Sequence, residues 1–244
     1  MQRRTKVISA VFFALILLGL IQAFWQKRFT WEAQPVPAKE TIRITIPEGW
    51  TVHQISEKLV ANGVLVGESL PQEWEGYLFP DTYDFFVPSS VEEVRMKFAM
   101  AFQDKVLPLI SESDNLYRIL TIASLIEREV PVSDDRPIIA GIIEKRIKSD
   151  MRLQLDATIC YCKEPAPCTP IRKEDFDLDS PYNTYRYNGL PPGPIGNPGI
   201  NAIEAALHPQ KSSYWFYISD PKTKKTIFAV DLDEHNKNIV NYLK

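Results

Sequence analysis

The chain has 244 residues, of which 45% are hydrophobic and 24% charged, with a formal net charge of −3. Those values fall in the globular range and leave room for a sizeable core in one or two domains. The slightly acidic balance lacks the basic excess that phosphate neutralisation requires, so nucleic acid is not an expected partner.

From Val7 to Trp25 the run VISAVFFALILLGLIQAFW carries no charge, and as a helix it would span roughly 28 Å, close to the thickness of a bilayer core. It exceeds the apolar stretch of a usual signal peptide, and no small-x-small cleavage site follows it, which favours an uncleaved anchor over a leader. Arg3, Arg4 and Lys6 precede the run and Lys27 and Arg28 follow it. Flanking charge therefore orients the span weakly. The long C-terminal part does more, and places everything after Phe29 outside the membrane.

Residues 30–40 contain Pro35 and Pro37 among polar residues and read as an extended linker. Thr41–Ile46 alternates with period two as a half-buried strand, and Pro47-Glu48-Gly49 turns into a helix capped by Thr51. Val52, Ile55, Leu59 and Val60 share one face of that helix, and Asn62-Gly63 stops it. A strand-turn-helix of this size is too small to fold alone. It is similar to half of a LysM-like glycan-binding module, and a packing appendage without a ligand fits the same pattern.

Glu75 opens EGYLFPDTYDFFVP, a segment dense in aromatics, and helical periodicity follows from Val91 to about Leu107. A second helix is expected from about Leu116 to Val130, ending at Pro131, and a third from the Ser133 cap to about Asp150. Beyond Met151 the chain reads as loop-rich, above all in SPYNTYRYNGLPPGPIGNPG at Ser180 to Gly199. A helix at Ile200–Leu207, strands at Tyr214–Ile218 and Thr226–Val230, and a closing helix at His235–Leu243 complete the expected elements.

The expected class is α+β: residues 1–28 a tail and transmembrane helix, 29–40 a linker, 41–70 the small LysM-like module, and 71–244 the main mixed α+β domain.

Cys160, Cys162 and Cys168 cluster in CYCKEPAPC. In an exported chain an odd count favours one disulfide and a free thiol, with Cys160–Cys168 the expected bridge and Cys162–Cys168 an alternative. Three thiolates could instead hold zinc if His208 or His235 supplied a fourth ligand; no metal or other cofactor is expected.

Glu127 interrupts an apolar helix, ILTIASLIEREV, with Leu116, Leu120 and Ala123 on its own stripe. Desolvation and the negative end of the helix dipole both raise the pKa of a carboxyl placed there. Such a group can stay protonated at neutral pH and donate to a glycosidic oxygen. A helix-end glutamate neutralised by Arg128 or another cation is the plainer alternative.

Three separated stretches, EGYLFPDTY at Glu75–Tyr83, ASLIERE at Ala123–Glu129 and SPYNTY-x3-GLPPGPIGNPG at Ser180–Gly199, resemble the YceG-like family of endolytic murein transglycosylases. MRLQLDAT at Met151–Thr158, AALHP at Ala205–Pro209 and HNK at His235–Lys237 match in the same order, so the resemblance covers about residues 41–244. It implies a YceG-like catalytic domain with its catalytic glutamate at Glu127, and leaves Glu129 a neighbour without a role. It further implies cleavage of the MurNAc–GlcNAc bond inside peptidoglycan strands to leave 1,6-anhydro ends, by one acid/base and no second carboxylate.

Among the remaining motif residues, Glu75, Gln154 and Asn183 can hydrogen-bond sugar hydroxyls or acetamides, and Tyr77, Tyr182 and Tyr185 can stack on pyranose faces. The implied partners are peptidoglycan strands, the membrane and peptidoglycan synthases. The implied place is the outer face of the cytoplasmic membrane, held there by a single pass. A non-catalytic wall-binding or division scaffold is the competing class, and a hydrolase using Glu127 with Glu75 or Asp81 a third. The chain departs from the family in its cysteine segment, in the absence of a histidine before Phe228, and in an abbreviated N-terminal module.

Overall fold

A strand that buries every second residue needs a partner for its backbone groups, and Thr41–Thr45 (β1) finds one 37 or more residues further on. It pairs antiparallel with Thr82–Phe86 (β2), with Thr41 opposite Phe86 and Ile44 opposite Tyr83. This computed structural model describes residues 18–25, 39–130, 133–166, 168 and 170–243. The chain divides into two units, Met1–Lys39 and Glu40–Lys244. In the first, residues 18–25 are helical. No helix among the described residues is long and apolar enough to cross a membrane, and most of the expected span from Val7 to Trp25 lies outside them.

In the second unit the β1–β2 ladder forms one wall of a first core. Val52–Ala61 (α1) is fixed at its start by a capping box between Thr51 and Gln54, which satisfies backbone donors that a helix end leaves free. Its buried Val52, Ile55 and Leu59 face the sheet. Val91–Lys105 (α2) repeats the device with Ser90 and Glu93 and adds Val94 and Phe98. The Tyr83 and Phe98 rings pack at 4.6 Å, an arrangement worth more than its buried area alone. The division expected at residue 70 falls inside this core, because β2 and α2 supply what β1 and α1 cover. The strand Thr82–Phe86 was not foreseen, since its pairing partner precedes it by about forty residues.

The larger core surrounds Leu116–Glu129 (α3), buried at every position from Ile119 to Ile126. Arg136–Lys148 (α4), Asp156–Lys163 (α5) and Ile200–Leu207 (α6) pack around it. Three elements differ from expectation. Helix α4 begins at Arg136 after a single 3-10 turn at Ser133–Asp135. Helix α5 occupies what reads as the start of a loop, with Glu164 at its end. The closing helix, Leu232–Tyr242 (α7), starts earlier than expected because Asp231 caps it by accepting the Glu234 N–H. Phe216–Ser219 (β3) and Thr226–Ala229 (β4) form a hairpin against which α7 packs.

Cys160 lies on α5 and is disulfide-bonded to Cys168, with Cα atoms 4.5 Å apart, while Cys162 is free and half-buried.

Candidate active site

Residues two apart on a helix leave its axis about 200° apart, so Glu127 and Glu129 point from the last turn of α3 to opposite sides. Glu127 meets Arg136, the first residue of α4. Its Oε1 accepts from Nη2 at 2.6 Å and its Oε2 from Nη1 at 3.3 Å, with both side chains no more than 7% exposed. Oε2 also accepts the Gly199 N–H at 3.1 Å. A side chain at position 199 would displace the Glu48 carboxylate, which lies against this glycine. Burial pushes the Glu127 carboxyl above its ordinary range, opposed first by the Arg136 charge and then by the Gly199 N–H. Both oxygens already accept from protein donors, and Glu127 is not among the residues that line the cleft on the Glu129 side.

Glu129 faces a cleft of about 740 Å³, in the range of ligand sites. Its Oε1 accepts the Ala157 N–H at 3.0 Å, at the start of α5. It is enclosed by protein but partly open to the cleft, and desolvation raises its pKa to about 7 against the pull of that N–H. Asp156 acts in the same direction as burial, while Arg128 and Tyr217 oppose it. A carboxyl that is half protonated near neutrality and reachable from a cleft is suited to proton transfer in both directions.

The cleft walls come from four places. The segment before α5 alternates, with Leu153 and Leu155 buried and Gln154 and Asp156 exposed to the opening. Tyr185 donates its hydroxyl to Asp156 Oδ1 at 2.5 Å and packs edge-on against Phe176. Strand β3 contributes Phe216 and Tyr217, and α7 contributes His235, stacked on Phe216 at 5.1 Å. Cys160 and Cys168 form part of the rim. Beneath the floor, Arg146 is buried and donates to the backbone oxygens of Trp215 and Leu153 at 2.6–2.9 Å.

The other residues singled out in the sequence divide clearly. Gln154 and Tyr185 line the cleft. Glu75 is buried elsewhere, where it accepts Val52 N–H at 3.2 Å, Asn197 Nδ2 at 3.0 Å and Gln72 Nε2 at 3.2 Å, and burial raises its pKa to about 8. It therefore joins α1 to the GNPG loop and presents no surface to a glycan. Asn183 is fully buried and brackets its own loop through Phe176 O and Leu178 O. Tyr182 packs on Tyr161 at 4.9 Å, and Tyr77 lines a separate apolar groove of about 300 Å³ with Phe98 and Phe102. Asp81 pairs with Lys105 at 2.6 Å, away from both glutamates of α3. Among the described residues no group of His, Cys, Asp and Glu is arranged to hold a metal ion.

Among the residues that line the cleft, Asp156 and Tyr217 have no role in the sequence reading, Glu129 enters it only as a neighbour of Glu127, and His235 has none beyond candidate zinc ligand. The buried-exposed alternation around Leu153 to Asp156 was readable in MRLQLD; the side of α3 that meets it was not.

A carboxyl of raised proton affinity lining an open cleft, on a mixed α+β scaffold, is the arrangement that general acid/base chemistry requires. The sequence model of the YceG-like family matches residues 26–241, and the chain belongs to that family. It is 37% identical to the endolytic murein transglycosylase of Bacillus subtilis, over 75% of this chain and 52% of that protein. Identity to the endolytic murein transglycosylase of Streptococcus pneumoniae strain D39 is 31%, over 82% of this chain and 44% of that one. The chain thus spans about half the length of the curated relatives it matches. A 2.6 Å crystal structure of a yceG-like protein from Listeria monocytogenes superposes with a TM-score of 0.69 at 33% identity, covering 80% of this chain and 75% of that one.

Proposed function

We propose that the chain is an endolytic peptidoglycan lytic transglycosylase in which Glu129 is the acid/base. The observation that carries this reading is the cleft-facing Glu129 carboxyl with its pKa of about 7. The names of the relatives, endolytic murein transglycosylases, support the substrate class. In this proposal Glu129 takes the role that the apolar stripe and the family resemblance gave to Glu127.

In the first step protonated Glu129 donates to the oxygen between MurNAc C1 and GlcNAc, the bond breaks, and positive charge develops at C1. The resulting carboxylate then removes the proton of the MurNAc 6-hydroxyl as that oxygen attacks C1 of the same sugar. Glu129 ends protonated, no water is consumed, and the products are a 1,6-anhydro-MurNAc end and a free GlcNAc hydroxyl. The intramolecular attack gains from proximity, so no second carboxylate is needed as nucleophile or base. Gln154 can hold sugar hydroxyls at the rim, and the Phe216–His235 stack offers an aromatic face.

The test is digestion of purified glycan strands with product masses. We expect internal cuts with ends lighter by one water than hydrolysis would leave. Reducing ends, or intact strands, would overturn the proposal.

In this reading the apolar run Val7–Trp25 is a single-pass anchor, residues 29–40 are a linker, and the folded part works outside the cytoplasmic membrane beside peptidoglycan synthases. The β1–α1 region is then a short glycan-approaching module. Full-length chain should fractionate with membranes, and protease added from outside should digest it only beyond Phe29. A soluble product beginning near residue 25 would refute the anchor.

A further inference from the structure

Glu129 is approached from two other elements by groups that differ in sign. From the start of α5 come the Ala157 N–H, at 3.0 Å, and the Asp156 carboxylate, which is held by the Tyr185 hydroxyl at 2.5 Å. From β3 comes Tyr217, whose hydroxyl is shut off from solvent, faces Glu129 and lowers its proton affinity, and has no other hydrogen-bond partner among the described residues. A buried donor left without a partner is costly unless something completes it. The cations nearby are already engaged: Arg128 donates to Ile195 O at 2.7 Å and lies 3.6 Å from Glu164, and Arg146 is spent on backbone oxygens.

The geometry points to Asp156 and Tyr217 as two positioning residues of the proton transfer, acting on Glu129 with opposite sign. Asp156 keeps the proton on Glu129 until the glycosidic bond breaks, and Tyr217 stabilises the carboxylate left afterwards; the inference rests on Glu129 being the acid/base. A like charge beside a carboxyl disfavours its ionisation, whereas a hydrogen bond donated to the ionised form favours it. Tyr217 stays a donor throughout, because burial and the neighbouring Glu129 charge hold its own pKa well above the ordinary tyrosine value. Its hydroxyl hydrogen can rotate, so the bond forms when Glu129 loses its proton and relaxes when the proton returns. Tyr185, from the SPYNTY motif, fixes where the Asp156 charge sits. His235 reaches the cleft stacked on Phe216, and burial lowers its pKa, so it adds little charge near neutrality.

The inference is tested on the full chain with two readouts for wild type, Asp156→Asn and Tyr217→Phe. One is the pH dependence of kcat/KM on glycan strands. The other is the carboxyl NMR titration of Glu129, identified by its loss in Glu129→Gln. The first step needs a protonated Glu129, so wild-type kcat/KM should fall as pH rises through about 7. Asp156→Asn should move both the alkaline limb and the titration to lower pH by about 1 unit, and Tyr217→Phe should move both to higher pH by a similar amount. A substitution that only loosened the fold would lower the rate without displacing the two midpoints in opposite directions. Titrations that stay put, or shift in the same direction, overturn the inference and leave Glu129 as the acid. Titrations that shift while the alkaline limb stays put overturn Glu129 as the acid, and the inference with it.

Discussion

Glu129→Gln is expected to lower glycan cleavage by about 10³-fold or more, the size of a lost general acid/base acting in both steps. The amide keeps the shape of the side chain, and its oxygen can still accept the Ala157 N–H that Glu129 accepts at 3.0 Å. It is too weak an acid to protonate the glycosidic oxygen and too weak a base to take the proton of the 6-hydroxyl. The fold should not suffer, since the substitution removes a carboxyl whose ionisation burial opposes. Product formation and a thermal melt on one preparation check both halves. Cleavage near the wild-type rate would remove Glu129 from the mechanism.

Glu127→Gln should show itself first in stability. The Arg136 guanidinium is 7% exposed and its two short contacts are to Glu127. Replacing its counter-charge by a neutral amide leaves a cation buried without compensation, at a cost of about 3–5 kcal/mol. For a chain of this size each kcal/mol moves Tm by roughly 2–4 °C, so a fall on the order of 10 °C is expected. Arg136→Met added to Glu127→Gln should recover part of that loss, because removing both charges removes the unpaired one. Some cleavage should survive well below the melting temperature. If instead Glu127→Gln leaves Tm unchanged and abolishes cleavage, Glu127 is the proton carrier after all.

The two substitutions also separate what a motif identifies from what it cannot. ASLIERE places two glutamates in one helical turn, and the desolvation argument applies to either. The apolar stripe through Leu116, Leu120 and Ala123 pointed to Glu127, and that stripe does lie against the core. The core side is where Arg136 waits, so the carboxyl on that stripe is neutralised within the protein. The stripe behind Glu129 includes Arg118, which suggests solvent, yet Arg118 pairs with Glu144 at 2.6 Å one end of the helix away from the cleft. Glu75 and Asn183 illustrate the same limit. A hydrogen-bonding side chain beside aromatics serves a buried loop as readily as a sugar, and here protein donors and acceptors have taken both.

Local chemistry along the chain was sufficient for most of the helices, since the Thr51 cap and the apolar periodicities act within a few residues. The α+β class, the Cys160–Cys168 bridge and the family followed from the sequence for related reasons, being matters of element type, close spacing and motif order. What only the tertiary structure decided depends on residues distant in sequence. The ladder between β1 and β2 joins a strand to a partner about forty residues away, on the far side of the boundary expected at residue 70. Helix α5 brings the Ala157 N–H to Glu129 across 28 positions. Which of the two glutamates meets Arg136 and which meets the cleft turns on which face of α3 each occupies. How helices dock on one another decides that, and no property of either glutamate's neighbours in the sequence encodes it; the proposed role of Glu129 rests on it.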